Sequence, residues 1–261
     1  MNLDQVFARA KSEKRAALIG YMPAGFPSKE GSTRLIAAMI EGGVDIVEVG
    51  FPYSDPVMDG PVIQQAAEIA LRNNTSAADV FDVVKASSVP TLVMSYWNPI
   101  ERYGVDRFAK EIANVSGVGV ITPDLTVEES QPWIDATESH GINRVYVVAP
   151  SSNDQRLSMV TAACSGFVYA ASLMGVTGAR TTLSSAASEL VARLRRVTHL
   201  PVAVGLGVSN PTQAAEVATY ADGVIVGSAF IKLVLDSASI DEAIPKVKEL
   251  AEQLAKGVQR I

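Results

Sequence analysis

Residues 46–61 read IVEVGFPYSDPVMDGP. The run Ile46-Val47-Glu48-Val49 is short, apolar and β-branched, the pattern of a strand buried on both faces. Seven more runs share that pattern, and the eight begin at Arg15, Val44, Pro90, Val118, Arg144, Phe167, Pro201 and Gly223. Between them lie segments with helical spacing. These are STRLIAAMIEGG, which stops at Gly42-Gly43, then AADVFDVVKASS, DRFAKEIANV, residues 184–197, PTQAAEVATYA and the tail at 241–258.

Strand and helix in strict alternation predict an α/β fold with its parallel sheet closed as a (β/α)₈ TIM barrel. The competing doubly wound sheet lacks its usual G-x-G-x-x-G after the first strand. A length of 261 residues suits one barrel, so residues 1–261 read as a single domain. The stretch from the second strand to the third is the longest. It holds the VMDG loop and two helical patterns, which predicts an insertion after strand 2.

Composition removes several classes of function. The apolar share is 48%, enough for a large core, and the net charge is −6 with no block of Lys or Arg, which argues against nucleic-acid or anionic-membrane partners. One cysteine, Cys164, excludes an intramolecular disulfide framework and a cysteine-rich metal site. The start, MNLDQVFARAKSEKR, has no apolar leader, and no run of membrane-spanning length occurs, so a cytoplasmic protein is expected.

In such a barrel, chemistry gathers at the C-terminal ends of the strands. Alternation puts Ile46, Glu48 and Gly50 on one side of strand 2 and Val47 and Val49 on the other. A carboxylate inside the barrel is desolvated, its pKa rises, and it can give and take a proton near neutral pH. By pattern alone Glu48 reads equally well as a strand-end residue meeting solvent or a lysine. Asp59 and Asp55 read more readily as turn or capping residues, although Pro52, Pro56 and Pro61 stiffen the loop that carries them.

Glycines cluster late, in GVTGAR (175–180), VGLGVS (204–209) and VGSA (226–229), each after a predicted strand. Backbone N–H groups and helix starts there suit a phosphate, which barrels often hold with the loops after strands 7 and 8. His140 and His199 are isolated, no lysine occupies a strand end, and nucleophile-elbow and Walker motifs are missing. Elimination leaves acid–base chemistry on a phosphorylated substrate, with no metal and no cofactor.

The motif EVGFPYSDPVMDGP at 48–61, with LIGYMPAGFP, TPDLTVEES, GVTGAR and VGLGVS in the same order, resembles the tryptophan synthase alpha subunit family over essentially the whole chain. The resemblance implies a barrel lyase that cleaves indole-3-glycerol phosphate to indole and glyceraldehyde 3-phosphate by a retro-aldol step. It carries the catalytic glutamate onto Glu48 and the catalytic aspartate onto Asp59. Substrate-binding positions fall on Tyr21, Met94, Tyr96, Ile121, Phe167, Tyr169, Thr177 and Leu206. Phosphate-binding positions fall on Gly178, Gly205, Gly207, Gly227 and Ser228. Asp124 matches a family acid after strand 4. The chain departs from the family at Leu173-Met174, where many members carry a more polar pair, and at Tyr21, where some carry phenylalanine.

The same resemblance implies a partner, a pyridoxal-phosphate-dependent beta chain in an alpha-beta-beta-alpha complex. Pyridoxal phosphate (PLP) then belongs to the partner, and Pro52 and Asp55 are expected at the interface. The loops at 52–59 and 177–183 are expected to be ordered by that partner. A free-standing lyase, a sugar-phosphate isomerase and a non-catalytic activator of a beta chain are the rival readings.

Overall fold

The computed structural model describes residues 1–171, 183–205 and 207–260, with the side chains of Leu183 and Ser184 excepted. Eight parallel strands close into a barrel in sequence order. They are β1 (Ala17–Pro23), β2 (Ile46–Gly50), β3 (Thr91–Met94), β4 (Gly119–Thr122), β5 (Asn143–Val148), β6 (Val168–Ala171), β7 (Val202–Gly205) and β8 (Gly223–Val226). β8 pairs back onto β1, with Ala17 opposite Gly223.

Two apolar layers follow from the two-residue period of the strands. One parity, including Leu18, Val47, Val49, Val93, Val120 and Val204, points outward into the main core beneath the helices. The other, including Ile19, Ile46, Leu92, Ile121, Val145, Ala203 and Ile225, fills the barrel interior. Burial on both sides explains why these runs read as continuously apolar.

The N-terminal mouth is plugged by α1 (Leu3–Ser12). A capping box between Asn2 and Gln5 starts this helix, and Leu3, Val6, Phe7 and Ala10 enter the interior at one-face spacing. The Phe7 and Phe167 rings meet there, 5.8 Å apart. Beside the plug, the Asp45 carboxylate accepts from Arg9 at 2.8 Å, from Arg15 at 2.5 and 2.9 Å and from the Leu18 N–H at 2.9 Å.

The segment after β2 carries the expected extra helix. α3 (Pro61–Arg72) packs on α11 (Ser228–Leu235) and β1, whereas α4 (Ala77–Ala86) takes the regular place against β2 and β3. One addition goes beyond the sequence reading: α5 (Trp97–Tyr103) follows β3 before the regular α6 (Val105–Asn114). After β8, α11 precedes α12 (Ile240–Gly257). α12 then returns to pack against α2 (Lys29–Glu41). The contact is so close that a Cβ on Gly42 would lie 2.4 Å from the Ala251 Cβ.

Candidate active site

The C-terminal mouth stays open as a cavity of about 400 Å³. Its wall draws on opposite strands through Tyr21, Glu48, Met94, Val147, Tyr169 and Gly205, and on the loop after β2 through Met58 and Asp59. Gly207, Gly227 and Ser228 line one end.

Glu48 sits on β2 in register with Tyr21 of β1 and Leu92 of β3. It is 0% exposed, and neither carboxylate oxygen has a hydrogen-bond partner among the described residues. A charge cannot be held cheaply in such a place, so burial pushes its pKa up to about 8. At neutral pH the group is mostly a carboxylic acid and can still ionise, the state a proton shuttle needs.

Asp59 comes from the loop after β2, where its N–H donates to the Pro56 carbonyl at 3.2 Å and its own carbonyl accepts from Gln64 at 2.9 Å. Burial raises its pKa to about 6, against a lowering hydrogen bond from the Tyr96 hydroxyl. Two neighbouring carboxyls thus favour opposite protonation states at neutral pH, Glu48 neutral and Asp59 charged. That is how one site supplies both an acid and an anion.

Two phenols complete the wall. Burial, then the nearby carboxyls, raises the pKa of Tyr21 and of Tyr169, so both stay neutral donors. Strand-end glycines make room for them. A Cβ on Gly50 would fall 2.3 Å from the Tyr21 hydroxyl oxygen, and one on Gly205 would fall 2.4 Å from that of Tyr169. Gly205 therefore seats a tyrosine ring, in addition to lying on the cavity wall. Gly227 lies close under Tyr21, with a Cβ position 3.2 Å from its Cδ1.

Comparison with known proteins fits this geometry. The model of the tryptophan synthase alpha chain family matches residues 7–259. A tryptophan synthase alpha chain of Streptomyces avermitilis is 57% identical over 98% of this chain and 94% of its own length. One of Thermobifida fusca is 56% identical over 98% and 97%. A crystal structure of tryptophan synthase from M. tuberculosis superposes with a TM-score of 0.91 at 46% identity, covering 98% of both chains. An alpha subunit of Legionella pneumophila gives 0.91 at 29%, covering 100% of both.

The chain belongs to the tryptophan synthase alpha chain family. It is thus a lyase of tryptophan biosynthesis, the family that cleaves indole-3-glycerol phosphate.

Against the family-based expectations, the structure gathers Tyr21, Glu48, Asp59, Met94, Tyr169, Gly205, Gly207, Gly227 and Ser228 around one cavity. Thr177, Gly178 and Leu206 lie outside the described residues. Ile121 and Phe167 do not line the cavity. Both are 0% exposed in the barrel interior, and Phe167 packs on the N-terminal plug. They share the inward parity of the wall residues but are buried within the packed interior. Tyr96 is also off the wall, because its hydroxyl is engaged with the loop that carries Asp59. Asp124 caps α5, accepting the Trp97 N–H at 2.9 Å. In the loop after β2, Asp55 is exposed and accepts from Ser54 at 2.6 Å, whereas Pro52 is buried. Wall residues missed by sequence reasoning are Met58, Gly60, Ile63, Pro123, Val147, Ala171 and Ile225. For Val147 and Ile225 the signal was available, since both have the inward parity of their strands.

Proposed function

We propose that Glu48 and Asp59 carry the cleavage of indole-3-glycerol phosphate within a single barrel domain spanning residues 1–261. Breaking the carbon–carbon bond needs a proton on indole C3, to make the ring a leaving group, and removal of a proton from the adjacent glycerol hydroxyl. Glu48 serves both steps in turn. As a buried acid it protonates C3, and as the resulting carboxylate it takes the hydroxyl proton while the bond breaks. The electron pair of that bond returns to the ring, and the glycerol fragment leaves as an aldehyde. Positive charge grows on the indole nitrogen during this sequence. Asp59, as an anion accepting the N–H, stabilises that charge most where it is largest.

The observation that carries this reading is the fully buried Glu48 carboxyl, without a partner among the described residues, on the wall of a cavity that Asp59 shares. Met94, Val147 and Ile225 give the indole ring an apolar seat. The opposite end suits the phosphate. Ser228 opens α11 with no side-chain cap, so first-turn N–H groups remain to meet an anion beside Gly207 and Gly227. Tyr169 borders the reacting end, and Thr177 and Gly178 are assigned from the family motif.

The chain needs no cofactor of its own in this reading, and PLP belongs to a beta chain in the complex. Among the described residues, no group of three potential ligands could hold a metal ion. The loop after β2 supports a docking surface for that partner, since Val57 is 79% and Met58 51% exposed beside the exposed Asp55. A cytoplasmic location follows from the biosynthetic setting. Among the described residues no helix is long and apolar enough to cross a membrane.

The test is indole release from indole-3-glycerol phosphate by the purified chain, with and without a beta chain. Indole that rises on addition of the beta chain supports the full reading. Equal rates in both arms overturn the partner's ordering effect and favour a free-standing lyase. No indole in either arm overturns the assignment of Glu48 and Asp59.

A further inference from the structure

Tyr96 follows β3 and sits at the start of α5, across from the loop that carries Asp59. Its ring lies 5.4 Å from that of Tyr53, at the near end of the same loop. Its hydroxyl accepts the Met58 N–H at 2.9 Å. With a lone pair spent on Met58, the hydroxyl proton is free for another acceptor, and the carboxylate of Asp59, the next residue along the chain, is the group whose pKa this hydroxyl lowers. One side chain therefore holds the loop at two points, through a ring contact and an accepted N–H, and is placed to donate its O–H to Asp59.

We infer that Tyr96 is a positioning residue that holds Asp59 in its anionic, cavity-facing orientation, rather than a wall of the indole pocket. The inference rests on the proposed part of Asp59 in the reaction. Three observations carry it: Tyr96 does not line the cavity, its hydroxyl and its ring are tied to Met58 and Tyr53 of the loop, and among the described residues Asp59 otherwise hangs from a loop held by few backbone bonds. A carboxylate on such a loop samples many orientations, and fixing one of them is what raises the rate.

Among the described residues, the groups facing Asp59 are Tyr96 of the β3 end, Tyr21 of β1, Tyr169 of β6 and Glu48 of β2. Of these, the Tyr96 hydroxyl is the one that favours the ionised form of Asp59 by a hydrogen bond. Loss of that bond raises the Asp59 pKa above its present value. The acidic limb of kcat/KM, where Asp59 gains a proton and activity falls, then moves to higher pH.

The experiment compares Tyr96→Phe, Asp59→Asn and the double variant, with a saturating beta chain. Tyr96→Phe keeps the ring and its contact with Tyr53, and equal thermal midpoints establish that the variants fold. The expected result is a loss of about tenfold in kcat/KM for Tyr96→Phe, the scale of one charge-assisted hydrogen bond, with the acidic limb displaced upward. In the Asp59→Asn background the same change costs less than about twofold, because the residue acts through a group already removed. An equal loss in both backgrounds, or an acidic limb that stays in place, overturns the inference while leaving the reading of Asp59 standing. Full activity of Asp59→Asn itself overturns that reading instead.

Discussion

β2 carries an acid at each end of the barrel, and the two are treated in opposite ways. Asp45 lies just before the strand, at the N-terminal mouth, and Glu48 lies within it, facing the open mouth. Both are buried, at 6% and 0% exposure. Asp45 is met by two arginines and a backbone N–H, whereas Glu48 has no partner among the described residues. Charge at the closed end is neutralised and tied into the fold. At the open end it is withheld by burial, as the proton transfer proposed for Glu48 requires. The two carboxyls are distinguished by their partners far more than by their depth.

That contrast breaks most sharply in activity. Glu48→Gln keeps the shape of the side chain and removes the exchangeable proton, so indole release is expected to fall by about a thousandfold, the range of a lost general acid–base. A loss below about tenfold would move the proton transfer to another group. The mirror experiment is Asp45→Ala. It leaves Arg15, which is 11% exposed, with only Glu13 and the Ala16 carbonyl as acceptors and leaves the Leu18 N–H without its acceptor, so a cost of about 2 kcal/mol of stability is expected in a denaturant titration. The turnover of the molecules that remain folded should be unchanged.

A third change tests how the wall is built. Gly205→Ala places a methyl group against the Tyr169 hydroxyl, which must shift. We expect kcat to fall by about tenfold to a hundredfold, in line with displacement near reacting atoms. If KM for the substrate rises and kcat holds, Gly205 acts mainly on the phosphate end.

The smallest effect is on stability, and it runs opposite to the effect on activity. The ordinary carboxyl value for Glu48 is 4.5, and burial raises it to about 8. Between these values the unfolded chain has released the proton and the folded chain holds it, so this group lowers stability as pH rises through that window. Glu48→Gln removes the penalty. Its thermal midpoint should exceed that of the unsubstituted chain by about 3–6 °C near neutral pH, with little difference at acidic pH. Equal midpoints at all pH values would mean that Glu48 is not desolvated.

The strands were readable because burial on both faces leaves short apolar runs whose length and β-branched content set them apart from buried helix segments. Parity along β2 put Glu48 on one face with Ile46 and Gly50, and that face is the inward one; Tyr169 came from the family resemblance alone. Depth was not readable. Ile121 and Phe167 share that parity, yet lie within the packed interior, because layer height depends on strand tilt and stagger around the closed barrel. The plug α1 was missed although Leu3, Val6, Phe7 and Ala10 have helical spacing, since its mean character is polar. Family resemblance puts Tyr96 in the pocket, and only the fold shows its hydroxyl turned to the Met58 N–H, beside Asp59 in the chain. The catalytic use proposed for Glu48 is suggested only by the motif around it, because one acid in an apolar run can equally meet solvent or a lysine.

The central claim is that Glu48 stores a proton at neutral pH, and infrared spectroscopy can observe that proton. The protonated-carboxyl C=O stretch would be recorded for the wild-type chain minus Glu48→Gln, from about pH 5 to about pH 9. The account predicts a protonated-acid band at neutral pH that titrates away near pH 8, with the carboxylate band growing in its place. A difference spectrum already showing only carboxylate at neutral pH would contradict it, and Glu48 could then act only as a base.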